Sequence, residues 1–396
     1  MVRQLRWRMD QQNRSDPVTR ARDLGPAIVA AADELERSRR IPAPLLEQLY
    51  ASRLLRMQLP RSVDGDQTDP MTYLAAIEEL SRHDGSIGWN VFVANSSALI
   101  APFLEPDVAR EIFANPKAVV AWGPPNACKA TAVDGGYLIS GKWDFASGCR
   151  QATWMGAHGP VVERDGSLRR DAKGHTAIRT LLFPVSEATL LDTWNPIGLR
   201  GTASDSYRVD NLFVAERFSS TRNEPELRRE RGPLYAFTMQ GLYAVGVAGV
   251  ALGLARAMLD EFIELARRKT PRYLARLADN AVIQADVARA EASLGASRAY
   301  LVDTLATIYA HADDIAPIDV ADRARVRLAC THAIHTALEV ADFTYKGAGV
   351  DAIFPGSPFE RRFRDIHTVS QQIQSRSAHY EAVGRILLGT IPEIFF

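Results

Sequence analysis

From Asp16 to about Pro116, apolar residues recur at helical spacing. In PAPLLEQLYASRLLRM, Leu45, Leu46, Leu49 and Leu54 mark one helix face behind Pro42 and Pro44; proline suits a first turn because its missing N–H would have no partner there. The next run starts at Asp69-Pro70, an N-cap followed by a first-turn proline, and stops near Asp84-Gly85, with a further helix from about Ser86. Between about Ala118 and Phe218 the pattern becomes short β-branched and aromatic runs: AVVAW, KATAV, YLISGKWDFAS, TLLFPV and DSYRVDNLFV. Asp134-Gly135-Gly136 between two alternating runs predicts a hairpin, since glycine accepts the positive φ of a tight turn. After a charged linker, Arg222 to Arg231, four long helices are predicted near 234–268, 279–313, 318–346 and 360–390, interrupted by Pro271, Pro317 and GAGVDAIFPGSP. The pattern predicts a mostly α, α+β chain: an N-terminal helical domain (1–117), a β-barrel or sandwich domain (118–220) and a C-terminal four-helix bundle (232–396).

One stretch tests that assignment. Gly232 to Ala255 has no formal charge over a length that spans a bilayer. It also holds Pro233, Thr238, Gln240 and several glycines, and it runs directly into the amphipathic LARAMLDEFIELARRK. A buried bundle helix is the better reading, and no membrane is expected. Gly246, Gly249 and Gly253 lie on it at small-residue spacing, which lets another backbone approach at a helix–helix or subunit contact.

With 396 residues, 46% apolar and 24% charged, the chain has material for two or three packed domains. Its 47 basic and 47 acidic residues cancel, so no global positive field draws nucleic acid or an anionic membrane. Cys128, Cys149 and Cys330 are dispersed, without zinc-ligand spacing, and fit a reducing cytoplasm. The segment MVRQLRWRMDQQNRSDP has no apolar core after its charges and reads as a loose tail, not a secretory signal. GxSxG, HExxH, GxxxxGK[ST], strand-linked GxGxxG and EF-hand spacing do not occur. His332 and His335, at i, i+3 on a predicted helix, have no accompanying ExxH; a packed or solvated helix face is favoured over a metal site.

Four ordered stretches carry a resemblance: Asp134-Gly135-Gly136-Tyr137 through Gly141-Lys142-Trp143 with Phe145-Ala146-Ser147-Gly148; Gly198-Leu199-Arg200-Gly201-Thr202 with Val209 to Val214; Arg267-Arg268-Lys269-Thr270; and Pro358-Phe359-Glu360-Arg361-Arg362-Phe363-Arg364-Asp365. From about residue 20 the chain resembles the acyl-CoA dehydrogenase superfamily. That resemblance implies a flavin, FMN or FAD, between β-domain and bundle, in a homotetramer with the bundles at its centre. It places Trp122, Gly123 and the following Pro124-Pro125-Asn126 at the ring's pyrimidine edge, and Phe145, Ala146, Ser147 and Gly148 against its reactive N5 side, where donors tune its electronics. It matches Arg268 to an arginine that pairs with flavin phosphate; without the resemblance, Arg268 is a helix C-terminal cation.

A dehydrogenase of this superfamily needs a carboxylate base beside N5. The corresponding stretch, His367 to Arg376, has none, and neither has Gly241 to Ala255. Leu80 to Trp89, with FASG and RDIH, looks like the branch of two-component monooxygenases. The resemblance implies that a separate NAD(P)H-dependent reductase delivers FMNH2 or FADH2 and that O2 reacts with it to oxidise an aromatic ring or a heteroatom. The protein's task is then to exclude water, with Trp89, Phe92 and Val93 as a shield. Two histidines usual in that branch are replaced here, by Asn95-Ser96-Ser97 and by Gln371-Gln372. Trp89, Asn95 and Ser97 are the candidate substrate contacts; Ser147, His367 and Gln372 are the candidate catalytic groups. His367 has two readings, a proton-transfer group or a satisfied polar residue. His83, before a helix end, reads as a structural cap. Two alternatives remain: a dehydrogenase or desaturase with a non-standard base, and a non-catalytic ligand-binding relative.

Overall fold

The computed structural model describes residues 16–124, 128–171, 174–221 and 224–390. Six helices come first: α1 (Pro17–Asp23), α2 (Gly25–Ser38), α3 (Ala43–Ser52), α4 (Pro70–His83), α5 (Gly85–Ala98) and α6 (Pro106–Phe113). Local chemistry sets their ends. Asp69 accepts from the Met71 and Thr72 amides at the start of α4, and Asp84 accepts from Ser86 and Ile87 at the start of α5. α3 ends where Arg53 enters the left-handed region at φ 61°, so Leu54 belongs to the following 3₁₀ turn.

Eight strands follow: β1 (Val120–Trp122), β2 (Lys129–Val133), β3 (Gly136–Ala146), β4 (Trp154–Val162), β5 (Ile178–Pro184), β6 (Thr189–Leu191), β7 (Asp205–Ala215) and β8 (Ser219–Ser220). They form one sheet in the order β6-β7-β3-β2-β4-β5-β8, with β1 parallel to β4. The expected hairpin joins β2 to β3 with Gly135 at φ 77°. β4, β6 and β8 fall outside the runs read from sequence. The glycines of β4 disguise it, yet each makes room for a neighbour: a β-carbon at Gly156 would stand 2.7 Å from the Trp122 ring, and one at Gly159 2.6 Å from Cys128 Sγ.

The last region contains α7 (Met239–Arg268), α8 (Ala281–His311), α9 (Val320–Ala348), α10 (Glu360–Ser370) and α11 (Ala378–Leu387). The single helix expected over 360–390 is therefore two. The chain breaks at Gln372, whose extended backbone (ψ 147°) starts a 3₁₀ turn and whose side chain accepts the Gln374 amide at 2.6 Å. No proline or glycine announces that break.

The most apolar 18-residue window of α7 is 89% buried inside the protein, as a bundle helix requires. Its small-residue stripe faces the N-terminal helices of the same chain. β-carbons on Gly246, Gly249 and Gly253 would meet Phe92, Ile77 and the Glu78 carbonyl respectively. N-terminal and C-terminal helices accordingly share one apolar core, while Trp143, Tyr137, Tyr207 and their neighbours form a second inside the sheet.

Gly253 tests this close approach. A β-carbon there would lie 2.3 Å from the Glu78 carbonyl oxygen, so Gly253→Ala should destabilise by about 1–3 kcal/mol despite alanine's better helix propensity. Gly295 on α8 meets nothing within 4 Å, and Gly295→Ala should stabilise by about 0.5–1 kcal/mol. Urea unfolding of the two variants checks the contrast.

Candidate active site

The loop between β6 and β7 positions the site. Leu199 (φ 50°) and Ala203 (φ 46°) both hold left-handed backbone without being glycine, a conformation costing of order 1 kcal/mol or more each. Surrounding groups impose it. Gly201 is wedged where a β-carbon would strike Leu35 of α2 and Ser86 of α5, and the Thr202 carbonyl accepts the Gly148 amide at 2.9 Å. Asn90 of α5 donates to the Gly201 carbonyl at 3.0 Å. Sheet, α2 and α5 meet at this loop.

From it a line of buried hydroxyls runs inward. Thr202 Oγ1 donates to the Leu199 carbonyl at 2.8 Å, Thr202 and Ser204 hydroxyls lie 2.7 Å apart, and Ser204 and Ser147 2.6 Å apart. Trp89 Nε1 donates to Ser147 Oγ at 3.1 Å. An indole N–H can only donate and a carbonyl can only accept. All four bonds are made together in one direction only: Trp89 to Ser147 to Ser204 to Thr202 to Leu199. Ser147 thus spends its proton inward and keeps an acceptor lone pair.

From Trp89 an aromatic line continues into the bundle. Its ring meets Phe92 edge-on at 4.7 Å, and Phe92 meets Tyr243 of α7 at 5.0 Å. Burial holds the Tyr243 hydroxyl well above the usual phenol range, opposed by a hydrogen bond with Gln372. Ser147, Trp89 and Gln372, from three regions of the sequence, are joined in this way. With Tyr243, their functional groups are two hydroxyls, an indole N–H and an amide, with no carboxylate.

Beside Ser147 the chain exposes an apolar face. Phe145 has φ 60° and is 63% exposed, edge-on to Trp194 at 6.2 Å. The end of β1 lies directly against it: a β-carbon at Gly123 would fall 2.1 Å from the Asp144 carbonyl. Trp122, half-buried, packs edge-on against His158 at 4.9 Å. Ala146 is buried in the sheet core, and Gly148 turns at φ 77°. Pro125 and Asn126 lie outside the described residues. Ser97, two turns beyond Trp89 along α5, is buried with its hydroxyl lacking a protein partner. An apolar platform, an acceptor hydroxyl and an unpaired buried hydroxyl suit a flavin and an aromatic guest.

Other candidates lie elsewhere. Asn95 is fully committed to the fold: its amide donates to the Leu54 and Val91 carbonyls at 2.7 and 2.8 Å and accepts the Gln58 amide at 2.9 Å. No donor is left for a substrate, so its expected role as a substrate contact gives way to a structural one. His367 pairs with Asp342 of α9 at 2.9 Å and packs on Phe363; none of these contacts reaches Ser147. Arg268 is exposed at the end of α7. His83 packs against Gly25 in the last turn of α4, where burial lowers its pKa. His335 bonds the Ser375 carbonyl at 2.8 Å.

Sequence reading missed Tyr243, Ser204 and the buried carboxylates Asp84 and Asp365. Tyr243 is concealed in an apolar helix, and Ser204 follows the GLRGT segment without any signal of its own.

Comparison with known proteins agrees with this geometry. Residues 19–106 match the acyl-CoA dehydrogenase N-terminal domain and residues 245–376 the acyl-CoA dehydrogenase C-terminal domain. The chain belongs to the acyl-CoA dehydrogenase family. Within it, the chain is 32% identical over 386 residues to indole-3-acetate monooxygenase of Pseudomonas putida, covering 93% of this chain and 95% of that protein. It is 26% identical to the flavin-dependent monooxygenase oxygenase subunit HsaA of Rhodococcus jostii, covering 87% and 90% of the two chains. XiaF from Streptomyces, solved with FADH2 and glycerol, shares the fold with a TM-score of 0.89 at 23% identity, over 99% of each chain. The chain is a flavin-dependent oxidoreductase, and its relatives favour monooxygenase over dehydrogenase.

Removing the Asn95 amide isolates the structural role assigned to it. Asn95→Ala should cost about 3 kcal/mol of unfolding free energy, because it strips three buried bonds, while leaving the affinity for aromatic ligands unchanged. Denaturant titration and ligand titration of the folded variant check the two halves.

Proposed function

We propose that this chain is the oxygenase component of a two-component monooxygenase that takes FMNH2 or FADH2 from a separate reductase and oxidises an aromatic molecule of indole size. One observation carries the reading. The one-way hydroxyl chain makes Ser147 an acceptor, and reduced flavin presents an N–H at N5 where oxidised flavin presents a bare nitrogen. The residues around Ser147 are therefore built for the reduced form. Bound there, reduced flavin supplies the electrons and the centre that activates O2.

The chain's own groups do the remaining work. Phe145 and Trp122-Gly123 seat the ring, Ser147 orients its N5 edge, and Trp89, Phe92 and Tyr243 exclude water. Gln372 and Tyr243 offer polar contacts to a substrate substituent. Absence of a carboxylate from this set removes the base that dehydrogenation needs. Relatives named for indole-3-acetate support an indole-sized guest. Arg268 is proposed to reach flavin phosphate on a neighbouring copy in a homotetramer, for which exposed Val350, Ile353 and Phe354 supply apolar surface.

Anaerobic titration should show tighter binding of reduced than of oxidised flavin. Ser147→Ala should shrink that preference by about tenfold, the value of one hydrogen bond. On admitting O2, wild-type protein should give a transient spectrum belonging to neither flavin form, and indole-3-acetate should gain an oxygen atom. Equal affinity for both forms, with immediate stoichiometric release of peroxide in the presence of substrate, would sink the reading.

A further inference from the structure

The hydroxyl chain does not stop at Leu199. Its amide donates to Asp365 Oδ1 at 2.6 Å, and the carboxylate is buried in α10. A β-carbon on Gly198 would stand 2.2 Å from the Arg364 carbonyl, so loop and helix are in direct backbone contact. Asp365 Oδ2 points the other way, to within 3.2 Å of where a β-carbon on Gly85 would stand, beside buried Asp84. Asp84 caps α5, the helix that carries Trp89. The path runs Asp365, Leu199, Thr202, Ser204, Ser147, Trp89, and α5 leads back from there to Asp84, whose charge acts on Asp365.

We infer that Asp365 is a positioning residue: it anchors the far end of the hydroxyl chain that presents Ser147, and Asp84 beside it ties that anchor to the helix bearing Trp89. The inference rests on the reading of Ser147 as the flavin acceptor. Two carboxylates buried together cannot both ionise cheaply. Burial raises both above the ordinary range, and the Asp84 charge raises Asp365 further. Arg361, Arg362 and Arg364 of α10 face the pair, and so does Glu36 of α2, which binds Arg364 at 2.9 Å. Asp33 of α2 binds Arg361, Glu261 of α7 faces Arg362, and His83 of α4 lies beside the same arginine. These arginines are shared among several acids and do not remove the need for a proton on the pair.

The sign follows. A carboxyl whose folded pKa is raised contributes stability that is fully present below the ordinary carboxylate range and lost as pH climbs through the raised value. Above it, both groups ionise; the Leu199 amide itself favours the Asp365 carboxylate, but the cost of burying that charge and its repulsion from Asp84 drive loop and helix apart, and the anchor loosens.

Hydrogen exchange and thermal unfolding of the full chain without flavin, from pH 6 to 9.5, read the latch directly. After correction for intrinsic exchange, wild-type protection at Leu199 and Gly148 should fall at least tenfold across that range, with a parallel drop in melting temperature. Asp365→Asn keeps the acceptor and removes the charge, and Asp84→Asn removes the repulsion; both should flatten the profile. Asp365→Ala should lose the protection at every pH and reduce the preference for reduced over oxidised flavin about tenfold. An Asp365→Asn profile that tracks the wild type, or Asp365→Ala protection equal to wild type, overturns the inference. A wild type that shows the protection pattern but no preference for reduced flavin refutes the role of Ser147 and leaves the latch standing.

Discussion

Every region of this protein answers to one constraint: the buried polar groups between sheet and helices must find partners in each other. Ser147, Ser204 and Thr202 are all buried, and an unpaired hydroxyl there would cost about 1–3 kcal/mol. Their only complete solution begins at an indole N–H of one domain and ends at a carbonyl of another. Packing obeys the same junction. Gly201 admits Leu35 and Ser86, Gly246 admits Phe92, and Gly253 admits the backbone of α4. A chain of hydrogen bonds with a fixed direction thus sits inside a set of close contacts that cannot relax, and a site built this way keeps its geometry without a ligand.

The fold was largely legible in the sequence because its signals are local. Proline and aspartate at 69–70 cap a helix in sequence and in structure, and glycine at 135 takes the positive φ that a hairpin needs. β4 was illegible because its glycines serve neighbours distant in sequence, Trp122 and Cys128, and a local pattern carries no trace of them. The break at Gln372 escaped for a related reason: a side chain capping its own backbone looks, in sequence, like any glutamine on a helix.

The site divides along the same line. Ser147 and Trp89 were found through short motifs, and the structure joins them by a hydrogen bond no spacing could foretell. Asn95 was read as a substrate contact because the family resemblance implies a functional histidine near its position; its three bonds to the backbone give it a structural use. Tyr243 was invisible, since an aromatic residue in an apolar helix reads as core until its hydroxyl is seen to meet Gln372.

Family membership by itself leaves the chemistry open, because one fold serves both proton abstraction and oxygen transfer. What separates them is where the carboxylates go. Here the three buried acids around the site are all committed elsewhere, Asp84 to the first amides of α5, Asp365 to the Leu199 amide, and Asp205 to Arg150 and the Thr193 and Trp194 amides. The groups left facing the aromatic line are weak acids and neutral dipoles. Such a surface is a poor base but a good enclosure, since neutral donors and acceptors hold a polar ring edge without supplying a charge that would draw in water. Committing the carboxylates to the scaffold and leaving neutral groups beside Ser147 is the physical content of the choice between the two chemistries.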